Sequence, residues 1–439
     1  MILNKMLNKN KLTIDFMIFF VISILSFYFS FLSSFLILIY FIYRIFTSKE
    51  EETLYLILLF SANPNVYFLF GIPVCNIIII LSLLRLCIRR NIKNNLLFKF
   101  CCVLCLFEVL HWIVYDFFNI AQSIVWCGTI FYITIYFSNC KEKYDNKMAI
   151  KYFITSVILS TLYGCFYRIY SNQGFSVLSF NINDNARFGG GFYDPNYFSF
   201  VCLLVFAFLI DCIYQNSRNN FSVLLNCKIM LILSVLFFFC IATLSKMFLI
   251  VFSMLVLLLI PLLTNFSKES KRLFIVLFFT ILSFTFAFKI MDFDVYSIFQ
   301  STIRRFQNVS SLNEFTTGRS DLIETAIYYL NSNFFSLIFG IGVQTYGNRL
   351  GTGYLHCFPM EIITTLGIIG SIIYILYFVI MCKSLTNNFK KTANSKILKC
   401  LKFIPLIISV VCSFALNVIE IEIFYPLTLM LFLNFFYIE

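Results

Sequence analysis

The chain has 439 residues, of which 60% are hydrophobic and 12% charged, and its mean hydropathy is +0.89. That balance excludes a soluble globular domain and defines a polytopic membrane protein. The net charge of +12 would suggest nucleic acid in a soluble protein, but here the basic residues fall in particular loops between apolar runs. They are topology signals, and no nucleic-acid partner is expected.

Apolar runs of spanning length recur from Ile14 to Tyr437. In lipid each can satisfy its own backbone only as helix, and none has the short alternating pattern of an outer-membrane strand, so an all-α fold is expected. The first run, Ile14 to Phe46, is too long for a cleaved signal peptide and carries no small-residue cleavage site. Three basic clusters are assigned to the cytoplasm: Lys5, Lys9 and Lys11; Arg85, Arg89, Arg90, Lys93 and Lys99; and Lys383, Lys390, Lys391, Lys396, Lys399 and Lys402. Reading the first run as two short helices keeps both Lys11 and Arg85 inside.

With the same parity, further spans are predicted near 53–70, 73–88, 98–118, 120–138, 150–169, 196–215, 227–241, 246–264, 273–290, 355–381, 401–417 and 422–437. The total is roughly 12 to 14 helices with both termini cytoplasmic. The lower figure applies because Asn63-Pro64-Asn65 interrupts one run and Leu224 to Leu263 is split mainly by Lys246. Two outer loops stand out, 170–195 and the longer 292–354, within a single polytopic domain.

Cysteine usage argues against a staple or a metal. Most of the 16 cysteines lie in spans, where a thiol behaves as a small hydrophobe, and Cys102 with Cys105 has no second pair. With His111 and His356 the only histidines, a histidine-rich metal site is excluded and no cofactor is expected.

Four segments carry chemistry. In the first, Asn185 to Asn196, Asp194 is a proper N-cap, Pro195 suits the first helical turn, and the three glycines permit a turn. The functional reading makes Arg187, beside the positive end of that helix, an anion site at the membrane surface. Sequence physics alone favours the capping reading. In the second, Thr317 to Leu330, the apolar residues Leu322, Ile323, Ala326, Ile327 and Leu330 recur on one face and Asp321 with Glu324 has capping-box spacing. A short amphipathic helix is predicted from near Ser320, lying along the membrane surface. Arg319 before it is open to two readings, a solvated charge or an anion ligand. Arg304 and Arg305 upstream offer further guanidiniums that could grip a phosphate bidentately.

The third segment opens at His356, with Glu361, Gly367 and Gly370 following on one span. A hydrogen-bonded interfacial histidine is the ordinary reading. A neutral imidazole at an outer cleft is also the natural general base for a hydroxyl, and the glycines on one face would admit a close-packed helix. In the fourth, Glu108 and His111 lie three apart on one helix. Such a pair suits a proton-coupled transporter, but both lie nearer the outer end of their span, with Asp116 closer still, and pairing at the interface is the simpler reading.

Taken in order, Arg187 with GGGFYDPN, Ser245-Lys246 opening a span, TTGRSDLI, FGIGVQTYG and HCFPMEIITTLGIIGS resemble the landmarks of the bacterial O-antigen polymerase and O-antigen ligase superfamily. His356 with Gly367, Gly370 and Ser371 is similar to the ligase-type pattern of histidine, a small polar residue, nine residues, glycine, two residues and glycine. Cys357 stands where asparagine, serine or glutamine is usual, and Ser371 where threonine or valine is. The resemblance covers residues 187–381.

It implies a GT-C-like membrane fold and a metal-independent glycosyltransferase at the outer face of the bacterial cytoplasmic (inner) membrane. Its substrates would be sugars carried by undecaprenyl pyrophosphate, as donor and as acceptor, with membrane lipid around it and a chain-length regulator protein as a partner. By position, Arg187 and Arg319 would serve the pyrophosphate and His356 the acceptor hydroxyl, with Glu361 or Asp194 next in line as base, and Asn196 would join the substrate-binding set. A polymerase extends the chain on its lipid carrier, whereas a ligase moves the finished chain to lipid A core. The departures at Cys357 and Ser371, and a composition rich in Phe, Ile, Asn and Lys like that of polysaccharide gene clusters, favour polymerase for O-antigen or capsule. The rival from another class is a flippase for lipid-linked oligosaccharide, against which the long outer loop stands.

Overall fold

The computed structural model describes residues 2–64, 66–89, 92–115, 120–140, 144–170, 187–192, 194–219, 223–264, 318–343, 350–351, 355–392 and 396–416, with positions 275, 307 and 430–431. These residues are mostly helical, as a chain that must satisfy its backbone without water requires. Six of the helices are long and apolar enough to cross a membrane, and three shorter apolar ones, Lys228–Ala242, Lys246–Leu259 and Cys400–Ser413, accompany them. The predicted spans at 273–290 and 422–437 fall outside the described residues, apart from single positions.

The contacts divide the chain into two compact units. The first contains α1 (Ile2–Leu25), most of α7 (Asn146–Tyr170), α8 (Pro195–Asn219), α9 (Val223–Ala242), α10 (Lys246–Thr264) and α14 (Lys396–Ser413). Its axis is α8, whose apolar window Pro195–Gln215 is 94% buried. Hydrophobic residues all round that helix leave it no lipid face, so it packs against α9 and α10. Near its far end Asp211 is 3% exposed and pairs with Lys402 of α14 at 2.9 Å. Gln215 Nε2 donates to the same carboxylate at 3.0 Å. Lys402, which the sequence groups with a basic cluster near the end of the chain, is an internal ion-pair partner; a carboxylate four turns along α8 compensates its charge.

The second unit contains α2 (Ser30–Thr47), α3 (Thr53–Leu58), a two-stranded antiparallel hairpin of β1 (Phe68–Leu69) and β2 (Ile72–Pro73), α4 (Val74–Arg89), α5 (Leu96–Val114), α6 (Ile120–Cys140), α11 (Arg319–Ser332), α12 (Phe334–Phe339) and α13 (Phe358–Thr392). The first apolar run is split, as the charge argument requires, by a turn at residues 26–29. The expected span at 53–70 is not one. Its helix stops at Leu58, tight turns follow through Asn63, and the hairpin carries the chain on. Residues 54–60 are buried within the unit, so its apolarity serves the core and not a lipid crossing.

Arg85, grouped from sequence with the basic residues of a loop, lies within α4. It is 2% exposed and donates to the carbonyl of Ser48, the C-cap of α2, while Arg44 Nη1 donates to Ser48 Oγ at 2.8 Å. Two guanidiniums thus meet the carbonyl end of α2, where the helix dipole favours positive charge.

Candidate functional site

In the first unit the segment before α8 folds as the glycines and cap residues predict. Asp194 Oδ1 accepts from Asn196 N at 2.8 Å and caps α8. Gly190 has φ 58°, and a Cβ there would sit 2.5 Å from the Phe198 ring and 2.7 Å from Ser160 Oγ, so only glycine fits. Gly191 N donates to that same Ser160 Oγ at 2.8 Å. Arg187 is half-buried and bound twice: Nε donates to Thr243 O at 2.8 Å and Nη2 to Asn196 Oδ1 at 3.3 Å.

Asn196 Oδ1 also accepts from Ser245 Oγ at 2.6 Å, and Ser245 caps α10 by accepting from Phe248 N at 3.2 Å. The N-termini of α8 and α10 therefore converge on one asparagine oxygen, with Arg187 beside it. Leu244, at φ 50° in the turn between α9 and α10, is held in a conformation that L side chains rarely adopt. Chemically the corner brings a fixed guanidinium to two helix N-termini, an arrangement that favours an anion, with the Asp194 carboxylate capping one of them. Arg187, Asp194 and Asn196 are brought together here.

In the second unit α11 begins at Arg319, one residue earlier than predicted. Its N-cap is Gly318, at φ 84° and with no side-chain cap, so the Asp321 and Glu324 capping box does not form. Gly318 takes a left-handed conformation, which leaves Asp321 in the first turn as a favourable charge and not a cap. Ala326 and Leu330 are buried, whereas Ile327 is 43% exposed and lies off the apolar face. Ala326 packs in a small cluster with Ile341 and Leu355, flanked by Leu322, Tyr329, Leu350 and Met360. The helix that starts at Arg319 and the loop that carries His356 thus share one core. Arg304 and Arg305 lie outside the described residues.

His356 is half-buried at φ 52°, and Glu361, buried in the first turn of α13, donates its backbone N–H to Cys357 O at 2.9 Å. The glycines further along α13 admit close helix neighbours, as the sequence suggested, but not along one regular helix face. Gly367 has φ 66° and ψ −175°, which breaks the helix. What approaches is the end of α12 at Ile338 and the non-helical strap 340–343 after it: Ile341 N and Gly342 N donate to the carbonyls of Thr364 and Thr365, at 2.9 Å each. A Cβ at Gly340 would land on the Thr365 carbonyl, and one at Gly367 on the Ile338 carbonyl. Gly370 faces a second helix, with Phe107 of α5 at 3.3 Å from an added Cβ.

Glu108 and His111 pair as the sequence suggested, and both are buried, 0% and 5% exposed. His111 Nδ1 is 3.1 Å from Glu108 Oε1, and Ser123 Oγ donates to Glu108 Oε2 at 2.9 Å. With Trp112, Tyr115 and residues 341–343 they line a small polar cleft. Asp116 lies outside the described residues. Sequence reasoning missed Tyr115, Ser123 and Ser336, whose only signal was their spacing around a Glu–His pair and the glycines of FGIG. Among the described residues no cluster of three or more His, Cys, Asp or Glu is arranged to hold a metal.

The fold and composition define a multi-pass helical membrane protein. Comparison with known proteins adds no relative: no family model, no curated protein and no solved structure matches the chain.

Proposed function

We propose that the chain is a polysaccharide polymerase of the bacterial cytoplasmic membrane. It would join undecaprenyl-pyrophosphate-linked oligosaccharide repeat units at the outer face by metal-independent glycosyl transfer, within a GT-C-like arrangement of spans. The observation that carries the reading is the Arg187 corner, where a guanidinium is fixed between Thr243 O and Asn196 Oδ1 at the meeting of two helix N-termini. A pyrophosphate leaving group needs such fixed positive charge. At an effective dielectric of about 20, one guanidinium about 4 Å from a phosphate contributes roughly 4 kcal/mol before desolvation. The other landmarks of the resemblance support it by position: Arg319 opens α11, and His356 stands two residues before α13.

In this reading Arg187 stabilises developing negative charge on the pyrophosphate, and Arg319 is carried over to that role from its motif alone. His356 takes the proton of the acceptor hydroxyl as its oxygen attacks the anomeric carbon and the bond from that carbon to the phosphate oxygen breaks. The test is deletion of the gene in its host, with the surface polysaccharide resolved by gel beside the extracted lipid-linked intermediates. Loss of the long-chain ladder while single repeat units still reach the acceptor is the expected result. Long chains left on the lipid carrier would make it a ligase, and repeat units trapped on the cytoplasmic face would make it a flippase.

A further inference from the structure

The strap between α12 and the His356 loop is non-helical backbone inside a membrane protein, and such backbone persists only where protein groups satisfy it. Here four consecutive amides have acceptors: Gly340 N bonds to Ser336 O at 2.8 Å, Ile341 N to Thr364 O and Gly342 N to Thr365 O at 2.9 Å each, and Val343 N to Glu108 Oε2 at 3.4 Å. Two carbonyls are held as well. His111 Nε2 is 2.7 Å from Phe339 O, and Tyr115 Oη donates to Gly340 O at 3.2 Å while lying 3.0 Å from Ser336 Oγ. The strap is thus gripped on one side by the broken turn of α13 and on the other by α5.

Phe339 O can only accept, so His111 Nε2 carries a hydrogen, and the contact between Nδ1 and Glu108 Oε1 then holds one further proton shared by the two groups. Gly342 lies against the imidazole, where an added Cβ would meet His111 Cβ at 3.2 Å. Ile341, the middle of the strap, is fully buried against Leu355, the residue before His356.

We propose that Glu108 and His111 are positioning residues: a hydrogen-bond clamp that fixes the strap and, through Ile341 and Leu355, the His356 loop. The rival role for a buried Glu–His pair is to carry protons. Glutamine at 108 separates the two. Its amide N–H2 can donate to Nδ1 of a neutral imidazole and its carbonyl can accept from Ser123 and Val343, so every bond of the clamp survives while the titratable carboxyl is gone.

The experiment is amide hydrogen exchange on the purified full-length protein in lipid nanodiscs, followed in peptides covering 334–343 and 355–361. Glu108→Ala and His111→Ala are expected to speed exchange in both peptides by about tenfold to a hundredfold, the scale for leaving buried partners unsatisfied. Glu108→Gln should stay within about twofold of the parent. If the alanine variants fail to fold, Tyr115→Phe, which deletes the bonds to Gly340 O and Ser336 Oγ and leaves the Glu108–His111 pair in place, should speed exchange in the strap peptide. Unchanged exchange in whichever of Glu108→Ala, His111→Ala and Tyr115→Phe fold overturns the clamp. So does exchange in Glu108→Gln as fast as in Glu108→Ala, and so does a well-protected Glu108→Gln that has lost function, the mark of a proton carrier. The clamp does not rest on glycosyl transfer: faster exchange at 355–361 with an intact polysaccharide ladder supports the clamp and removes the His356 loop from the proposed chemistry.

Discussion

The crossing of the strap over the broken turn of α13 yields the sharpest stability prediction. Gly367 sits at φ 66° and ψ −175°, a region that is essentially restricted to glycine and that strains other residues by about 1–3 kcal/mol. In Gly367→Ala the new methyl group would also collide with the carbonyl of Ile338 and the amide of Gly340. The strap must then lift, and Ile341 N and Gly342 N lose Thr364 O and Thr365 O. Each buried donor left without a partner costs about 1–3 kcal/mol. Together these terms reach roughly 6 kcal/mol, comparable to the whole stability of many domains. Gly351 provides the internal control, because at φ 64° it is strained in the same sense yet a Cβ there meets nothing within 4 Å. The assay is thermal unfolding of the detergent-solubilised protein with recovery of monodisperse material. Gly367→Ala should be lost from the membrane or unfold far below the parent, whereas Gly351→Ala should fall by about 1–3 kcal/mol only. Equal behaviour of the two variants would refute the backbone crossing.

Arg319→Ala should lower turnover by about a hundredfold to a thousandfold, the scale for losing one charge-stabilising donor, and near-normal activity at matched expression would remove Arg319 from the mechanism. His356→Ala should abolish most transfer while leaving binding of the lipid-linked donor largely intact. If most of the transfer rate survives, the base lies elsewhere, with Glu361 next to test. Breaking the buried Lys402 and Asp211 pair from one side, as Lys402→Met, should destabilise by about 3–5 kcal/mol, and replacing both partners by apolar residues should recover most of that. An unfolding series in which single and double variants are equally stable would show that the pair carries no such energy.

The fold class was legible because it rests on composition, and the split of the first run followed from charge placement without any local break signal: no glycine or proline lies between Leu25 and Ser30. The Asp194 cap and the glycine turn before α8 were legible because they are local, set by side-chain chemistry within a few residues. Two buried charges show the opposite limit. The burial of Arg85 and Lys402 was not legible because a sequence window counts a charge without seeing its partner. The partners, the Ser48 carbonyl and Asp211, are 37 and 191 positions away along the chain. Gly367 and Gly370 have the spacing of a helix contact face, and that spacing carries no information about φ. His111 shows the same division within one residue: its bond to Glu108 was readable at a separation of three, and its bond to Phe339, 228 residues on, was not.

Arg187 is where the capping reading and the anion reading meet, and the structure makes them compatible. A guanidinium has five N–H donors in a rigid fork, and the bonds to Thr243 O and Asn196 Oδ1 engage two of its nitrogens. Fixing the fork in this way removes side-chain freedom that binding would otherwise have to remove, which is how preorganisation raises affinity. Arg187→Lys and Arg187→Met distinguish a staple from a staple that is also a ligand. Lysine keeps the charge but cannot span both acceptors, and methionine keeps neither charge nor donors. If Arg187 only joins the start of α8 to the turn before α10, both variants lose about 1–2 kcal/mol of stability and transfer falls in step with the folded fraction. If it also holds the pyrophosphate, the methionine variant loses transfer far beyond its loss of folded protein. The lysine variant, no more stable, regains a measurable part of the rate. Activity that tracks stability in both variants would confine Arg187 to the fold.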